Sequence, residues 1–265
     1  MEFALAPTEP RSAPPYLEFW DRPALRAVCL DIDDTLIDFT SASRRALASM
    51  IGRADMWELW ECVTDRHVAM VVAGDLEYAT MHRQRTKCFL AELGLVIEDA
   101  VAARFERQRA ATMRLRFRLY HDVLSCLDWL LAAGVRIAAV TNASGGHQRK
   151  KLADLGLSRF VDHVAIAGEV GANKPDPLIF HSACAALDCD PAEAVHVGDR
   201  LGTDAVGARD AGLAGVWLNR GSRTTHVPAG VHQIGGLDEL PELLVCEFAT
   251  IGMGGGRQHA MPVPR

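Results

Sequence analysis

Two aspartates, Asp31 and Asp33, directly follow an apolar run, Ala27–Leu30, of the kind that forms a buried strand. In an extended chain, side chains two positions apart point to the same side. Both carboxylates are therefore expected to leave the strand end facing one spot. Carboxylates this close repel each other unless a cation lies with them or one is protonated. The spacing predicts a metal site that carries a chemical step; the alternative interpretation is capping of a helix or turn.

Three further segments place polar side chains in a comparable setting. They are Thr141–Asn142 after one apolar run, Gly198–Asp199 with Asp204 after another, and Lys174–Pro175 before a predicted helix. In open parallel sheets, ligands bind outside the carboxyl ends of the strands. Because Asp31, Thr141 and Asp199 each end an apolar run, we expect them to meet at one edge of a sheet.

Apolar runs alternate with helical patterns along most of the chain. Strands are predicted near residues 27–32, 135–140, 163–167, 194–197 and 214–218. Helices are predicted near residues 122–133, 145–155, 177–187, 203–211 and 237–245. This alternation predicts an α/β fold, with a Rossmann-like parallel sheet and helices on both of its faces.

The gap between the first two predicted strands is too long for a single crossover. Residues 41–120 carry helical patterns, so we predict an inserted α-helical cap there. The catalytic core would then be discontinuous, comprising residues 25–40 and 121–247. The proline-rich residues 1–24 are predicted to be a flexible lead-in, and the glycine-rich residues 248–265 a disordered tail.

Taken in their order along the chain, the four polar segments resemble the four motifs of phosphatases of the haloacid dehalogenase superfamily. Motif one is a strand ending in D-x-D-x-T-L, motif two a strand ending in Thr, motif three a Lys before Pro, and motif four a Gly-Asp with a later Asp. The resemblance covers roughly residues 25 to 245 and implies the same fold with a helical cap after the first motif. It extends to the branch that holds 5'-nucleotidases and N-acylneuraminate-9-phosphatase, through residues 168–175 and 214–219.

The resemblance implies a phosphomonoesterase that works through an aspartyl-phosphate. Asp31 would be the nucleophile, and Asp33 the general acid and then the base. Lys174 would balance the charge of the phosphoryl group. Thr141 would donate its hydroxyl to a phosphoryl oxygen, helped by backbone N–H groups near Asn142 and Ala143. The substrate would be a small phosphorylated metabolite, such as a nucleoside 5'-monophosphate or a sugar phosphate.

The same resemblance implies a magnesium ion as the cofactor, because Mg²⁺ prefers a few carboxylate oxygens together with waters and a phosphate oxygen. Its expected ligands are Asp31, the backbone carbonyl of Asp33, and Asp199. Asp204 is expected to orient these ligands or to act through a water molecule.

Arg85 lies in a predicted helix from about residue 76 to 93, in a stretch that resembles the substrate-facing cap segment of the nucleotidase-like branch. We expect it to contact the leaving group of the substrate, since a guanidinium can hold a carbonyl, hydroxyl or carboxylate by paired hydrogen bonds. The neighbouring Arg83 could take this role instead. The alternative interpretation is a solvated basic face, because acidic residues are interspersed among the cap arginines.

Composition narrows the classes of partner. A formal net charge of -6 argues against binding of nucleic-acid polymers, and no apolar stretch is long and charge-free enough to span a membrane. Seven scattered cysteines without a CxxC pair are typical of reduced thiols, so a cytoplasmic location is expected. The sequence leaves the oligomeric state open between a monomer and a homodimer.

Three other functions remain open at this point. A 2-haloacid dehalogenase of the same superfamily would need Asp31 but neither a metal nor Asp33, and a phosphosugar mutase would share the whole site. A receiver-type signalling module also uses a phosphorylatable Asp with a Thr and a Lys on a parallel sheet. In receivers, however, the phosphorylated Asp ends a later strand than the acidic pair, and the 265-residue chain is longer than such a module.

Overall fold

A six-stranded parallel sheet organises the first of two units into which the chain divides. The computed structural model describes residues 24–143, 145, 147–221, 223–248 and 250–251. The first unit comprises the chain up to Asp31, His121–Arg149 and the residues from Gly156 onward, and the second comprises Ile32–Tyr120 with Lys150–Leu155. Most of the predicted lead-in and tail lies outside the described residues.

The sheet has the strand order β4-β3-β2-β5-β6-β7, and every neighbouring pair runs parallel. Its strands are β2 (Ala27–Leu30), β3 (Arg136–Thr141), β4 (His163–Ile166), β5 (Ala194–Gly198), β6 (Ala214–Leu218) and β7 (Val231–Ile234). The central strands are continuous apolar runs because helices cover both faces of a parallel sheet. All four residues of β2 are fully buried, as are most residues of β3 and β5. This architecture confirms the predicted α/β class.

Helices connect the strands of the first unit. They are α5 (Val123–Ala132), α6 (His147–Asp154, shared with the second unit), α7 (Ala167–Val170), α8 (Pro177–Ala186), α9 (Gly207–Asp210) and α10 (Leu240–Glu247). Short 3₁₀ turns lie at Leu157–Arg159, Pro191–Glu193 and Leu237–Glu239, and a π-helical turn at Leu201–Val206. A further two-residue ladder joins β1 (Ala24–Leu25) to β8 (Thr250–Ile251). None of the described helices has the length and apolar composition that a membrane span requires.

Two parts of the sheet region differ from the sequence expectation. Strand β7 was not predicted, because only Ile234 of its four residues is buried and its polar positions hide the strand pattern. The helix predicted over 203–211 begins instead as the π-helical turn before α9. Periodicity alone cannot distinguish such a turn from an ordinary α-helix.

The second unit is a helical assembly with its own core. Its helices are α1 (Phe39–Ile51), α2 (Trp57–Ala73), α3 (Tyr78–Glu92) and α4 (Asp99–Arg114). Trp60 and Phe89 pack edge to face at its centre, with ring centroids 5.0 Å apart, surrounded by aliphatic side chains. The unit begins at Ile32 and includes residues 150–155, whereas the predicted cap boundaries were 41 and 120.

Candidate active site

Asp31 lies at the carboxyl end of the central strand β2. Its backbone N–H donates to the Val197 carbonyl at 2.9 Å, which extends the parallel ladder by one residue and fixes where the Asp31 side chain starts. The buried Asp31 carboxylate accepts a hydrogen bond from the Lys174 ammonium, with Oδ1 and Nζ 2.6 Å apart. The strand end therefore places a carboxylate directly beside the Lys174 ammonium.

Lys174 is buried, and each contact that the structure describes for its ammonium group is with an oxygen atom. Its Nζ lies 2.6 Å from Asp31 Oδ1, 2.7 Å from Asp204 Oδ1 and 3.0 Å from the Val140 carbonyl. Burial by itself lowers the pKa of Lys174, but the carboxylates of Asp204 and Asp31 outweigh burial and raise this pKa well above its usual value. Lys174 is therefore a fixed positive charge between two acids.

Asn142 holds the backbone of Lys174. Its Nδ2 donates to the Lys174 carbonyl at 2.9 Å, and its Oδ1 accepts from the Lys174 N–H at 2.6 Å. This paired contact links two loops that are 32 residues apart in sequence. Both polar ends of the Asn142 side chain are occupied by this contact, so the side chain supports Lys174, whereas the sequence prediction concerned the backbone N–H groups of this loop.

Thr141 ends strand β3 and is buried. Its Oγ1 accepts a hydrogen bond from the Ala143 N–H at 3.1 Å. Because the hydroxyl oxygen is the acceptor in that contact, its proton can be donated to another oxygen. The Thr141 hydroxyl can therefore act as a hydrogen-bond donor, whereas the Ala143 N–H already donates to Thr141 Oγ1.

Asp204 is held on several sides. Its Oδ2 accepts from the Arg200 N–H at 3.0 Å, and its Oδ1 lies 3.3 Å from His196 Nε2. Burial alone raises the pKa of Asp204, but Lys174 and then His196 reverse that effect and lower this pKa well below its usual range. Burial also lowers the pKa of His196, so the neutral ring donates its Nε2 proton to a carboxylate that stays ionised.

Gly198 provides the space in which Asp204 lies. A Cβ atom at Gly198 would overlap the Asp204 carboxyl carbon and Cβ. The last residue of β5 therefore has to lack a side chain for Asp204 to reach Lys174. The glycine of the fourth motif is therefore required for steric reasons, which the sequence alone does not reveal.

Gly198→Ala is accordingly expected to lower the free energy of unfolding by about 1–3 kcal/mol, the usual cost of overpacking a buried site. Gly202→Ala is the matched control, because a Cβ there would meet nothing within 4 Å. Urea unfolding monitored by circular dichroism would compare the two variants. Equal stability of both variants would show that Asp204 can move away from strand β5 at no cost.

Three carboxylates of the first unit could hold a cation together. Asp31, Asp199 and Asp204 each offer an oxygen, and these oxygens lie within 4.8 Å of one another. Only hard oxygen donors are present in this group, which suits Mg²⁺ rather than a softer transition metal. The Asp199 backbone is also fixed, because its carbonyl accepts from Trp217 Nε1 at 3.0 Å. The predicted ligands Asp31 and Asp199 and the supporting Asp204 are thus brought together.

Asp33 belongs to the second unit, where its carboxylate has a partner that the sequence did not suggest. Its Oδ1 lies 2.5 Å from the Nζ of Lys151, a residue of helix α6. Lys151 is one of several polar residues in the stretch His147–Asp154, and nothing in that stretch marks it as special. The pairing spans 118 residues and follows only from the tertiary structure.

Asp34 has a local structural role. It is one of two described non-glycine residues with a positive φ, here 64°, a conformation that Gly, Asn and Asp adopt most readily. Its carboxylate accepts from the N–H and hydroxyl of Thr40, at 2.8 and 2.7 Å, in the first turn of α1. These contacts explain an acid at this position without a catalytic role.

Arg85 lies in α3, within the second unit, and is buried there. Its terminal nitrogen donates to Glu106 at 3.0 Å, and its guanidinium lies 4.3 Å from the centre of the Trp60 ring. Glu106 also pairs with Arg109 at 3.1 Å. Arg85 Nε has no hydrogen-bond partner among the described residues. Arg85 is therefore not part of a solvated surface, and one of its hydrogen-bond donors has no partner among the described residues.

Comparisons with known proteins point to one family of hydrolases. The model of the haloacid dehalogenase-like hydrolase family matches residues 25–212. Glyceraldehyde 3-phosphate phosphatase of Methanopyrus kandleri is 34% identical over 201 residues, covering 74% of this chain and 85% of that protein. N-acylneuraminate-9-phosphatase of Mus musculus is 30% identical over 235 residues, covering 83% and 94%. In fold, a magnesium-bound hydrolase of the same family from Bacillus subtilis aligns with a TM-score of 0.73 at 22% identity, covering 83% of this chain and 99% of its own.

Proposed function

The chain belongs to the haloacid dehalogenase-like hydrolases, and on that premise we propose that it is a magnesium-dependent phosphomonoesterase acting through an aspartyl-phosphate. The observation that carries the proposal is the contact of Lys174 with both Asp31 and Asp204, beside Asp199. A buried nucleophile next to a fixed cation and a cluster of metal-type oxygens suits attack on a phosphate dianion. The substrate would be a small phosphorylated metabolite, such as a sugar phosphate or a nucleoside 5'-monophosphate.

The reaction would proceed in two displacements. An oxygen of Asp31 forms a bond to phosphorus, the ester P–O bond breaks, and the leaving alkoxide takes a proton from the Asp33 carboxyl group. In the second step, Asp33 as carboxylate takes a proton from a water whose oxygen attacks phosphorus. The bond between phosphorus and Asp31 then breaks, which restores the Asp31 carboxylate and releases inorganic phosphate.

The other site residues would stabilise charge and geometry. Lys174 faces the Asp31 carboxylate and would offset the negative charge of the phosphoryl oxygens. Thr141 would donate its hydroxyl proton to one of those oxygens, and Asn142 would keep Lys174 in place. A magnesium ion held by Asp31, Asp199 and the Asp33 carbonyl, with Asp204 orienting them, would supply Lewis-acid neutralisation of the phosphate.

A dehalogenase is the second candidate, because it would use the same Asp31 nucleophile on carbon. That chemistry gives no role to a cluster of Asp199 and Asp204 beside Asp31. A phosphosugar mutase would use the whole site and would differ in returning the phosphoryl group to the sugar. Product analysis separates these reactions, since only a phosphatase releases phosphate continuously.

The proposed activity is tested by phosphate release across a panel of esters in the presence of magnesium. The panel should include glyceraldehyde 3-phosphate, N-acylneuraminate 9-phosphate, nucleoside 5'-monophosphates, hexose phosphates and phosphoglycolate. A 2-haloacid, assayed for halide release, belongs in the same panel. Halide release without phosphate release would overturn the proposal in favour of the dehalogenase.

Activity is expected to disappear on exhaustive chelation, to return with Mg²⁺ and to be inhibited by Ca²⁺. Calcium takes more oxygen ligands at longer distances and would disturb a site suited to octahedral geometry. Asp199→Ala should raise the magnesium concentration needed for half-maximal rate sharply or eliminate the rate, which a magnesium titration would measure. Full rates after chelation would contradict the assignment of the metal.

Arg85→Ala is expected to lower kcat/KM for the best natural ester. The corresponding loss of transition-state stabilisation is roughly one to three kcal/mol, the cost of an unmade hydrogen bond to a charged group. We propose that the Arg85 guanidinium is the donor for the leaving group, since its Nε has no hydrogen-bond partner among the described residues. The small ester p-nitrophenyl phosphate should be affected little, because it offers the cap few groups to bind. Arg83→Ala, on the same helix, tests the alternative residue, and a larger selective loss in that variant would assign the contact to Arg83. Equal losses on both esters, with a lowered melting temperature, would instead assign Arg85 to cap stability through Glu106.

A further inference from the structure

Lys151 is a buried lysine of the second unit that none of the roles above uses. Its side chain is 8% exposed, whereas that of the adjacent Lys150 is 72% exposed and pairs with Asp154 on the helix surface. The Lys151 ammonium makes a 2.5 Å contact with Asp33 Oδ1. Two neighbouring lysines of one helix thus have opposite environments, and only one of them faces a proposed acid/base group.

Two aromatic rings restrict where the Lys151 ammonium can lie. Phe39 and Phe117 stack with centroids 6.1 Å apart, and the Lys151 Nζ lies 5.7 and 5.4 Å from their centroids. A cation within about 6 Å of an aromatic centroid is attracted by the ring quadrupole. A free lysine side chain has many rotamers, and ordering it costs conformational entropy. The rings and the carboxylate together select one position for the ammonium.

The Asp33 carboxylate is the more exposed partner of the pair, at 26% against 8% for Lys151. An aspartate at the end of a strand can rotate about its side-chain torsions unless a neighbour fixes it. Acid/base catalysis depends on placement within hydrogen-bonding reach of the proton that is transferred. Because Lys151 is itself held in place by the two rings, its ion pair can fix the orientation of the Asp33 carboxylate.

We propose that Lys151, held beside the Phe39 and Phe117 rings, is the positioning residue that orients the Asp33 carboxyl group for proton transfer. This inference rests on the proposed function, since Asp33 needs orientation only if it transfers protons. Lys151 acts through Asp33 and contacts neither the nucleophile nor the phosphoryl group in this assignment. Its loss should therefore resemble a partial loss of Asp33.

The test compares an alkyl phosphate with p-nitrophenyl phosphate, using kcat/KM, which reports the steps up to phosphoryl transfer. An alkoxide leaving group needs a proton from Asp33, whereas p-nitrophenolate leaves as a stable anion. Lys151→Met keeps an apolar stem beside the rings but removes the ammonium. We expect it to lower kcat/KM for the alkyl ester by about 10- to 100-fold, part of the usual worth of a positioned acid, and for the aryl ester by less than about threefold.

Two further variants make the result specific. Lys151→Arg keeps a cation and should restore a substantial part of the alkyl activity, and Lys150→Met should leave both activities unchanged. Asp33→Asn should reduce the alkyl activity by roughly 10²–10⁴-fold. Adding Lys151→Met to Asp33→Asn should then cause no further loss, because a residue that acts through Asp33 has nothing left to position.

Several results would overturn the inference. Equal losses on both esters, additive losses in the double variant, or unchanged activity of Lys151→Met would each remove Lys151 from the chemistry. Melting temperatures of all variants identify any loss that comes from misfolding, and Lys151→Arg then decides the question. If the unaltered protein hydrolyses no ester in the panel, the proposed function itself is wrong and this inference falls with it.

Discussion

Asp31→Asn is expected to abolish phosphate release while leaving the melting temperature within a few degrees of the parent protein. The amide is nearly isosteric with the carboxylate but cannot attack phosphorus. Lys174 would keep its contacts with Asp204 and the Val140 carbonyl, so the buried cation stays paired. Steady-state rates and thermal unfolding by circular dichroism measure the two effects separately.

Asp34→Asn is the matched control, because it removes an acid from the same motif. Asn accepts the positive φ of this position, and its carbonyl can still accept from Thr40. We expect near-normal turnover in that variant. A parent-like rate for Asp31→Asn, or loss of activity in the Asp34 variant alone, would contradict the proposed nucleophile.

Lys174→Met is expected to eliminate activity and to lower the free energy of unfolding by about 3–5 kcal/mol at pH 7 without metal, the usual cost of breaking a buried ion pair. The substitution leaves Asp31 and Asp204 without their shared cation. Because Asp204 is almost wholly buried, its carboxylate would then lie beside a hydrophobic side chain.

The loss of stability in Lys174→Met should depend on pH in a defined direction. In the parent protein, Lys174 and His196 lower the pKa of Asp204 despite burial, so its stabilising contribution is present above the unfolded pKa and is lost only at strongly acidic pH. In the variant, burial without Lys174 raises that pKa above the unfolded value, so stability should increase as the pH falls from 7 to 5. Urea unfolding with a chelator at both pH values measures the difference, and Lys150→Met is the control. A loss of stability that is the same at pH 5 and pH 7 would argue against an uncompensated carboxylate.

The sequence was sufficient for the α/β class and for the residues that end strands. Asp31, Thr141 and Asp199 each follow an apolar run that is buried on both faces, and such runs retain their strand character in any parallel sheet. The ends of β2, β3 and β5 are neighbours because these strands are adjacent in the sheet order. The strand ends follow from the sequence, whereas the strand order that makes them neighbours is seen only in the structure.

The supporting contacts could not be predicted in the same way. Asn142 pairs with the backbone of Lys174, and Lys151 with Asp33, across loops and helices that are distant in sequence. Neither contact leaves a periodic pattern or a characteristic spacing. Gly198 is conspicuous in the sequence, but the need for its missing side chain becomes clear only where Asp204 occupies that space.

The division of the chain has a consequence for exchanging caps between related enzymes. The chain passes from one unit to the other after Asp31, Tyr120, Arg149 and Leu155, so the second unit is assembled from two separate segments. A graft limited to residues 32–120 would leave Lys151 behind in the donor chain and separate it from Phe39 and Phe117. A chimera that also carries residues 150–155 would transfer the lysine together with both rings and with Asp33.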